Sequence, residues 1–437
     1  FIHFEWIIIC PVHTYGFMKK LKLFFPTILV LAFGLMLSCA KSSEDNINSG
    51  VANTNENLTD LEDVITGGGG GGSSNSSSCN NSKAFIVGNA VTKKCSRTDC
   101  PKSKIVIWDI CGGGTIVVGE SVMGAVDAAS HNNSIYIADY EGFYWIVGAG
   151  NKIEKKQINY PSGYKKSEIS GISVNSVGNV YVAGVVRKNN KDYTAYWKNG
   201  ELVKTFRENA DWYSEKHVAA DSKGKVYIPG WRMKSHEVTY SALWINGTRK
   251  NLSTSHDGEA TDAVIGSETA SGSNVWISGA HGPYTRGGTL AAYWRINPNG
   301  QTNQTKVTKV RTYNSPKNWV YSSRASSIFI GGSTVYMAGV VNVINAGDVP
   351  VYWKNKVQHE LPVEFDLNTC LRCKAEPTDI SLLDGKVLVV GDYYDEKDKV
   401  DNYFSHGEDK AVYWLDKKLH KLCESCGSSY AVAVLVM

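Results

Sequence analysis

Along most of the chain short runs of alternating apolar and polar residues are broken by Gly, Asn and Asp, the pattern of half-buried strands joined by tight turns. One strand wording recurs: Ala84-Phe-Ile-Val-Gly88, Ile135-Tyr-Ile-Ala-Asp139, Val180-Tyr-Val-Ala-Gly184, Val226-Tyr-Ile-Pro-Gly230, Val275-Trp-Ile-Ser-Gly279, Val335-Tyr-Met-Ala-Gly339 and Val387-Leu-Val-Val-Gly391. Successive copies lie 45 to 60 residues apart. Each is followed by a second strand ending in Trp, at Trp108, Trp145, Trp197, Trp244, Trp294, Trp353 and Trp414, so seven of the 12 tryptophans hold one repeat position.

Each unit reads as four strands. An apolar inner strand such as Ile169–Val174 turns into the Val-Tyr-Val-Ala-Gly strand; a longer loop leads to the Trp strand, and a tight turn to an outer one. Asn199-Gly200 and Asn246-Gly247 predict type I′ hairpins, because both central residues need positive φ. Four antiparallel strands per unit of this length predict an all-β fold, a seven-bladed β-propeller over residues 84–437. The first unit lacks an inner strand, while the chain ends on the apolar run Ser428–Met437. That run is expected to complete the first blade and close the ring, which removes the exposed sheet edges.

The wording Asn175-Ser-Val-Gly-Asn-Val-Tyr-Val-Ala-Gly184, echoed by Asp221-Ser-Lys-Gly-Lys-Val-Tyr-Ile-Pro-Gly230, resembles the bacterial β-propeller repeat family. The resemblance implies an exported propeller and supplies no catalytic residue.

The N-terminal region reads as an address. Residues 1–17, which begin at Phe1, are expected to be an upstream extension of the gene model. Met18-Lys-Lys-Leu-Lys22, an apolar run to Leu37 and Ser38-Cys39 form a secretory signal over 18–38. The run is shorter than the roughly 20 residues a membrane span needs. Cys39 after it resembles the lipobox of bacterial lipoproteins, which implies acylation there and attachment to the outer membrane, facing the periplasm or the surface. Residues 39–83 are Ser, Asn and Gly with six glycines at 67–72, too polar to fold, and read as a tether reaching roughly 35 Å.

The net charge of +4 falls to +2 once Lys19, Lys20, Lys22 and Glu5 are set aside, and 46 basic residues interspersed with 42 acidic ones exclude nucleic acid as a partner on bulk electrostatics. Beyond Cys10 and Cys39, eight cysteines remain, an even number that suits disulfides in an exported domain. Cys79 and Cys111 fall on one face and are paired. Cys95–Cys100, Cys370–Cys373 and Cys423–Cys426 are the simplest local pairs, with a crosswise arrangement of Cys95 and Cys100 with Cys423 and Cys426, or zinc on the two Cys-x-x-Cys units, as alternatives.

No catalytic or cofactor motif is present: no nucleophile elbow, His-Glu-x-x-His, phosphate loop or dinucleotide fingerprint. One acidic pattern repeats ahead of and within the inner strands, as Glu168, Glu215, Glu259 and Glu376, with Arg324 in the same slot of another blade and Asp127, Asp262 and Asp379 further along. These carboxylates either ring the channel mouth, where Ca²⁺ could sit, or cap backbone N–H groups of a neighbouring turn. The second reading is preferred. The loops after the second strands carry Trp231, Arg232, His236, His281, Tyr284, Arg286, Tyr393 and Tyr394, a candidate face for an extracellular glycan or protein. The expectation is a monomeric, lipid-anchored binding or scaffold module without catalysis. The alternative is a carbohydrate-active hydrolase or lyase with carboxylates at the channel mouth.

Overall fold

The computed structural model describes residues 79, 82–91, 103–160, 162–206, 217–235, 238–253, 258–282, 289–306, 320–343, 347–364, 374–394, 409–423, 426 and 428–437. They form seven four-stranded antiparallel sheets, one for each sequence repeat. The blades are numbered here in chain order from the copy at Ala84. In each, the inner strand pairs with the Val-Tyr-Val-Ala-Gly strand, which pairs with the Trp strand, which pairs with the outer one. Ser428–Val436 pairs antiparallel with Ala84–Val91, so the C-terminal strand is the inner strand of blade 1 and closes the ring. Residues 1–78, which include the expected signal peptide, Cys39 and most of the expected tether, lie outside the described residues.

The turns follow the chemistry of their residues. Asn199 and Gly200 have φ of 52° and 87°, and Asn246 and Gly247 have 50° and 74°. Asn does more than tolerate that geometry. The Asn199, Asn246 and Asn355 side-chain oxygens accept from the backbone N–H of Val180, Val226 and Val335 at 2.8–2.9 Å, tying each hairpin to the start of the second strand.

The repeated tryptophans are the filling between blades. Trp197, Trp294, Trp353 and Trp414 are at most 1% exposed, and each packs in a cluster that mixes residues of two neighbouring blades. The indole N–H groups of Trp197 and Trp414 donate to the Asn159 and Pro362 carbonyls at the end of the preceding blade. Buried rings of this size each contribute several kcal/mol of gross burial, roughly 4–6 at 25 cal/mol per Å².

The repeated glycine has a different cause. Inner strands carry a bulge between the residues facing the glycine and its predecessor, as at Ala260/Asp262, Ala325/Ser327 and Pro377/Asp379. The bulge drives a carbonyl onto the glycine: a Cβ at Gly88, Gly279 or Gly339 would stand 2.0 Å from the oxygens of Tyr430, Glu259 or Arg324. Blade 2 has Asp139 in that place, buried, with its carboxylate accepting from the Glu141 amide.

Candidate functional site

The bulge also determines what points into the channel. Directly after it, each inner strand places one residue across from the position before the repeated glycine: Asp127 faces Ala138, Gly171 faces Ala183, Asp262 faces Ser278, Ser327 faces Ala338, Asp379 faces Val390 and Ala433 faces Val87. In blade 4 the inner strand among the described residues is Ala219–Ala220, and continuing its register by two residues puts His217 in the same position. Around the ring from blade 1 the sequence is Ala, Asp, Gly, His, Asp, Ser, Asp.

Every aspartate in this ring makes the same two bonds. One oxygen accepts from the next amide of its own strand: Ala128 N at 2.8 Å, Ala263 N at 2.6 Å and Ile380 N at 2.8 Å. The other accepts from the inner strand of the following blade: Ile172 N at 2.8 Å, Ile328 N at 3.0 Å and Val434 N at 2.8 Å. Each carboxylate is thus a staple from one blade to the next. The residue it passes over is small in all three cases (Gly171, Ser327, Ala433), which leaves room for the carboxylate. Ser327 Oγ lies 3.0 Å from Asp262 Oδ2 and 2.7 Å from Asp379 Oδ1, and links two of the staples.

His217 sits among them. Its Nδ1 is 3.4 Å from Asp127 Oδ1 and 3.8 Å from Asp262 Oδ1, and its side chain is 16% exposed. Burial pulls the imidazole pKa down, but the charges of Asp262 and Asp127, the bond to Asp127 and the charge of Asp379 outweigh it and hold His217 at about 10. Burial likewise raises Asp379, against the Val434 amide and the Ser327 hydroxyl, to about 6. At neutral pH the ring therefore holds an imidazolium among carboxylates. The backbone accommodates it at a cost: His217 has φ of 90°, and a Cβ on Gly171 would come within 2.7 Å of the His217 Cα.

From this ring a cavity of about 640 Å³ runs along the inner strands towards the turns joining first and second strands. Asp127, His217, Asp262 and Asp379 line its inner end, and Ser176 and Glu268, both exposed, line it near those turns. The glutamates ahead of the inner strands do not line this cavity. Glu259 pairs with Arg324 at 3.7 Å, Glu376 with Lys374 at 3.8 Å, and Glu168 is exposed; Glu215 lies outside the described residues. The acidic positions read together from the sequence thus separate into two levels, one of ion pairs near solvent and one of staples in the ring. Their oxygens accept from inner-strand amides instead of capping a neighbouring turn. Among the described residues no three His, Cys, Asp or Glu side chains are arranged to hold a metal ion.

The chain is similar to solved propeller structures. It matches the β-propeller domain of the Trilobed protease from Pyrococcus furiosus at 11% identity, covering 79% of this chain and 96% of that one, with a TM-score of 0.45. For oligogalacturonate lyase from Vibrio parahaemolyticus the values are 11%, 70%, 87% and 0.41, and for TolB from Acinetobacter baumannii 14%, 65%, 64% and 0.38. The likeness is one of fold. Neither a scan against protein-family models nor a search of curated proteins gives a match.

The loop-face candidates divide. Trp231 and Arg232 are half-buried near the end of the second strand of blade 4, and Tyr394 is half-buried in blade 7. His281 and Tyr393 are each 3% exposed: the first packs edge-on against Trp294, and the second lies beneath Lys421. Their rings belong to the blade interior and offer no surface to a ligand. His236, Tyr284 and Arg286 lie outside the described residues. This face is the one opposite the turns to which the cavity runs.

Cys79 is bonded to Cys111, and Cys423 to Cys426. Cys95, Cys100, Cys370 and Cys373 lie outside the described residues. His217 and Ser327 are the residues that a search for acidic repeats passes over. Their signal is in the repeat column: three residues after the Glu slot in bulged blades, and two after Glu215 in blade 4.

Proposed function

We propose that this propeller is a binding module for an extracellular glycan or protein, held at the bacterial outer membrane by a lipid on Cys39 and by the 39–83 tether. One observation carries the preference for binding over hydrolysis or elimination: the channel aspartates accept from backbone amides on both of their oxygens. A glycosidase needs two carboxyl groups about 5 to 10 Å apart that are free to exchange protons with substrate. Here they hold blades together.

The test is a combined glycan and protein array probed with the full chain, followed by Trp231→Ala and Tyr284→Ala. Loss of a hit in these variants assigns binding to the loop face, and unchanged binding removes it from that face. A well-folded chain that captures nothing on either array, yet cleaves an oligosaccharide, would replace this reading with the enzymatic one.

A further inference from the structure

We propose that the channel cavity beside His217 is a binding site for the uncharged, hydroxyl-rich end of a glycan, with the imidazole Nε2–H as the fixed donor at its inner end. This rests on the binding reading above and moves the site to the opposite face from the aromatic loops.

The argument begins with what each group at the inner end has left to offer. Asp127 and Asp262 face Nδ1, so the imidazole is oriented and its second nitrogen is the free one: among the described residues no protein atom pairs with Nε2. His217 lines the cavity and keeps part of its surface exposed. A charged N–H held by carboxylates from two blades is a strong donor that needs no reorganisation when an acceptor arrives.

The aspartates offer much less. Their oxygens already receive backbone amides, and a cation would also meet the imidazolium. An anion would be repelled by Asp127, Asp262 and, near the turns, Glu268, whose carboxylate is held by the Ser222 amide. A neutral acceptor escapes both penalties. The walls suit the same class, with half-buried Ser130, Ser173 and Phe329 among the lining residues. A sugar ring has this division, hydroxyls at its rim and C–H groups on its faces. The volume, about 640 Å³, lies within the usual range of small-molecule sites, roughly 300–1,000 Å³.

The experiment follows the His217 imidazole directly. The full chain is labelled with ¹⁵N-histidine, and the Nε2 resonance is recorded during titration with methyl α-glucoside, methyl β-galactoside and N-acetylglucosamine. Spermidine and citrate serve as charged arms. A saturable shift with at least one neutral sugar is expected, and Ser130→Trp, which fills the cavity beside the turns without touching the ring, should weaken it at least tenfold at an unchanged melting temperature.

The proposal fails if no neutral sugar moves the resonance, if spermidine or citrate moves it instead, or if Ser130→Trp binds as well as the parent. The direct titration of the parent chain decides the matter even if the Trp variant folds poorly. An array hit that survives Ser130→Trp would overturn the cavity while leaving the binding function in place.

Discussion

Blades 2, 5 and 7 and blade 4 fill the same channel position in opposite ways. In the first three an aspartate accepts two amides, one from its own strand and one from the next blade, and the residue beyond it is small. In blade 4 a histidine turns its Nδ1 towards aspartates of two other blades, bonding Asp127 and lying 3.8 Å from Asp262. The inner strand of blade 5, Gly258–Thr269, is long and bulged, whereas among the described residues that of blade 4 covers Ala219–Ala220. Regular pairing with a bulge turns the side chain towards the following blade. His217 takes a left-handed conformation that a non-glycine residue adopts at a cost of order 1–3 kcal/mol, and it lines the channel cavity. One repeat column thus serves both as the fastening of the ring and as its single charged donor.

The sharpest way to break this contrast is to remove one staple. Asp262→Ala leaves the Ile328 and Ala263 amides without this acceptor and removes one of the two carboxylates beside His217. Loss of one partner from a buried charged network costs about 3–5 kcal/mol, to be read as a lower urea midpoint at constant slope. A loss below about 1 kcal/mol would mean that the aspartates do not fasten the blades.

Next in size is the bulge itself. Gly339→Ala would place a methyl 2.0 Å from the Arg324 oxygen, forcing the inner strand of blade 6 outward at about 2–3 kcal/mol. Gly114→Ala in blade 1 is its control, since nothing lies within 4 Å of that Cβ and its φ is not positive; its effect should stay within about 0.5 kcal/mol. Equal losses in the two variants would show that the repeated glycine is kept for chain flexibility and not for the carbonyl it meets.

The fold was legible because its devices are local and repeated. Trp at one position, Asn-Gly at another and Gly after the Val-Tyr strand each have a cause within a few residues. The unpartnered Ser428–Met437 run announced closure through its apolar pattern. The ring was only half legible. Asp127, Asp262 and Asp379 stood out because they share charge, but the role of each depends on an amide in a different blade, 45 to 66 residues away. His217 was hidden because it stands two residues after the Glu slot and not three. His281 and Tyr393 misled for the opposite reason: they follow second strands, as loop residues do, yet those strands run on to His281 and Tyr394 and keep both rings inside the blades.

The smallest effect tests the charge state that distinguishes the two kinds of blade. His217 has a folded pKa of about 10 against about 6.5 unfolded, so its contribution to stability is complete below about pH 6.5 and is lost as the pH rises through 10. Asp379 is raised from 3.8 to about 6, so the folded chain binds its proton more tightly, and that contribution is present below pH 3.8 and fades by pH 6. Between pH 6.5 and 10 the parent should therefore lose stability, while His217→Gln follows a flatter course. Between pH 4 and 6 the corresponding decline should vanish in Asp379→Asn, whose amide cannot titrate. If the parent and His217→Gln run parallel above pH 6.5, the imidazole is neutral in the folded ring, and the channel has no charged donor to set against its aspartates.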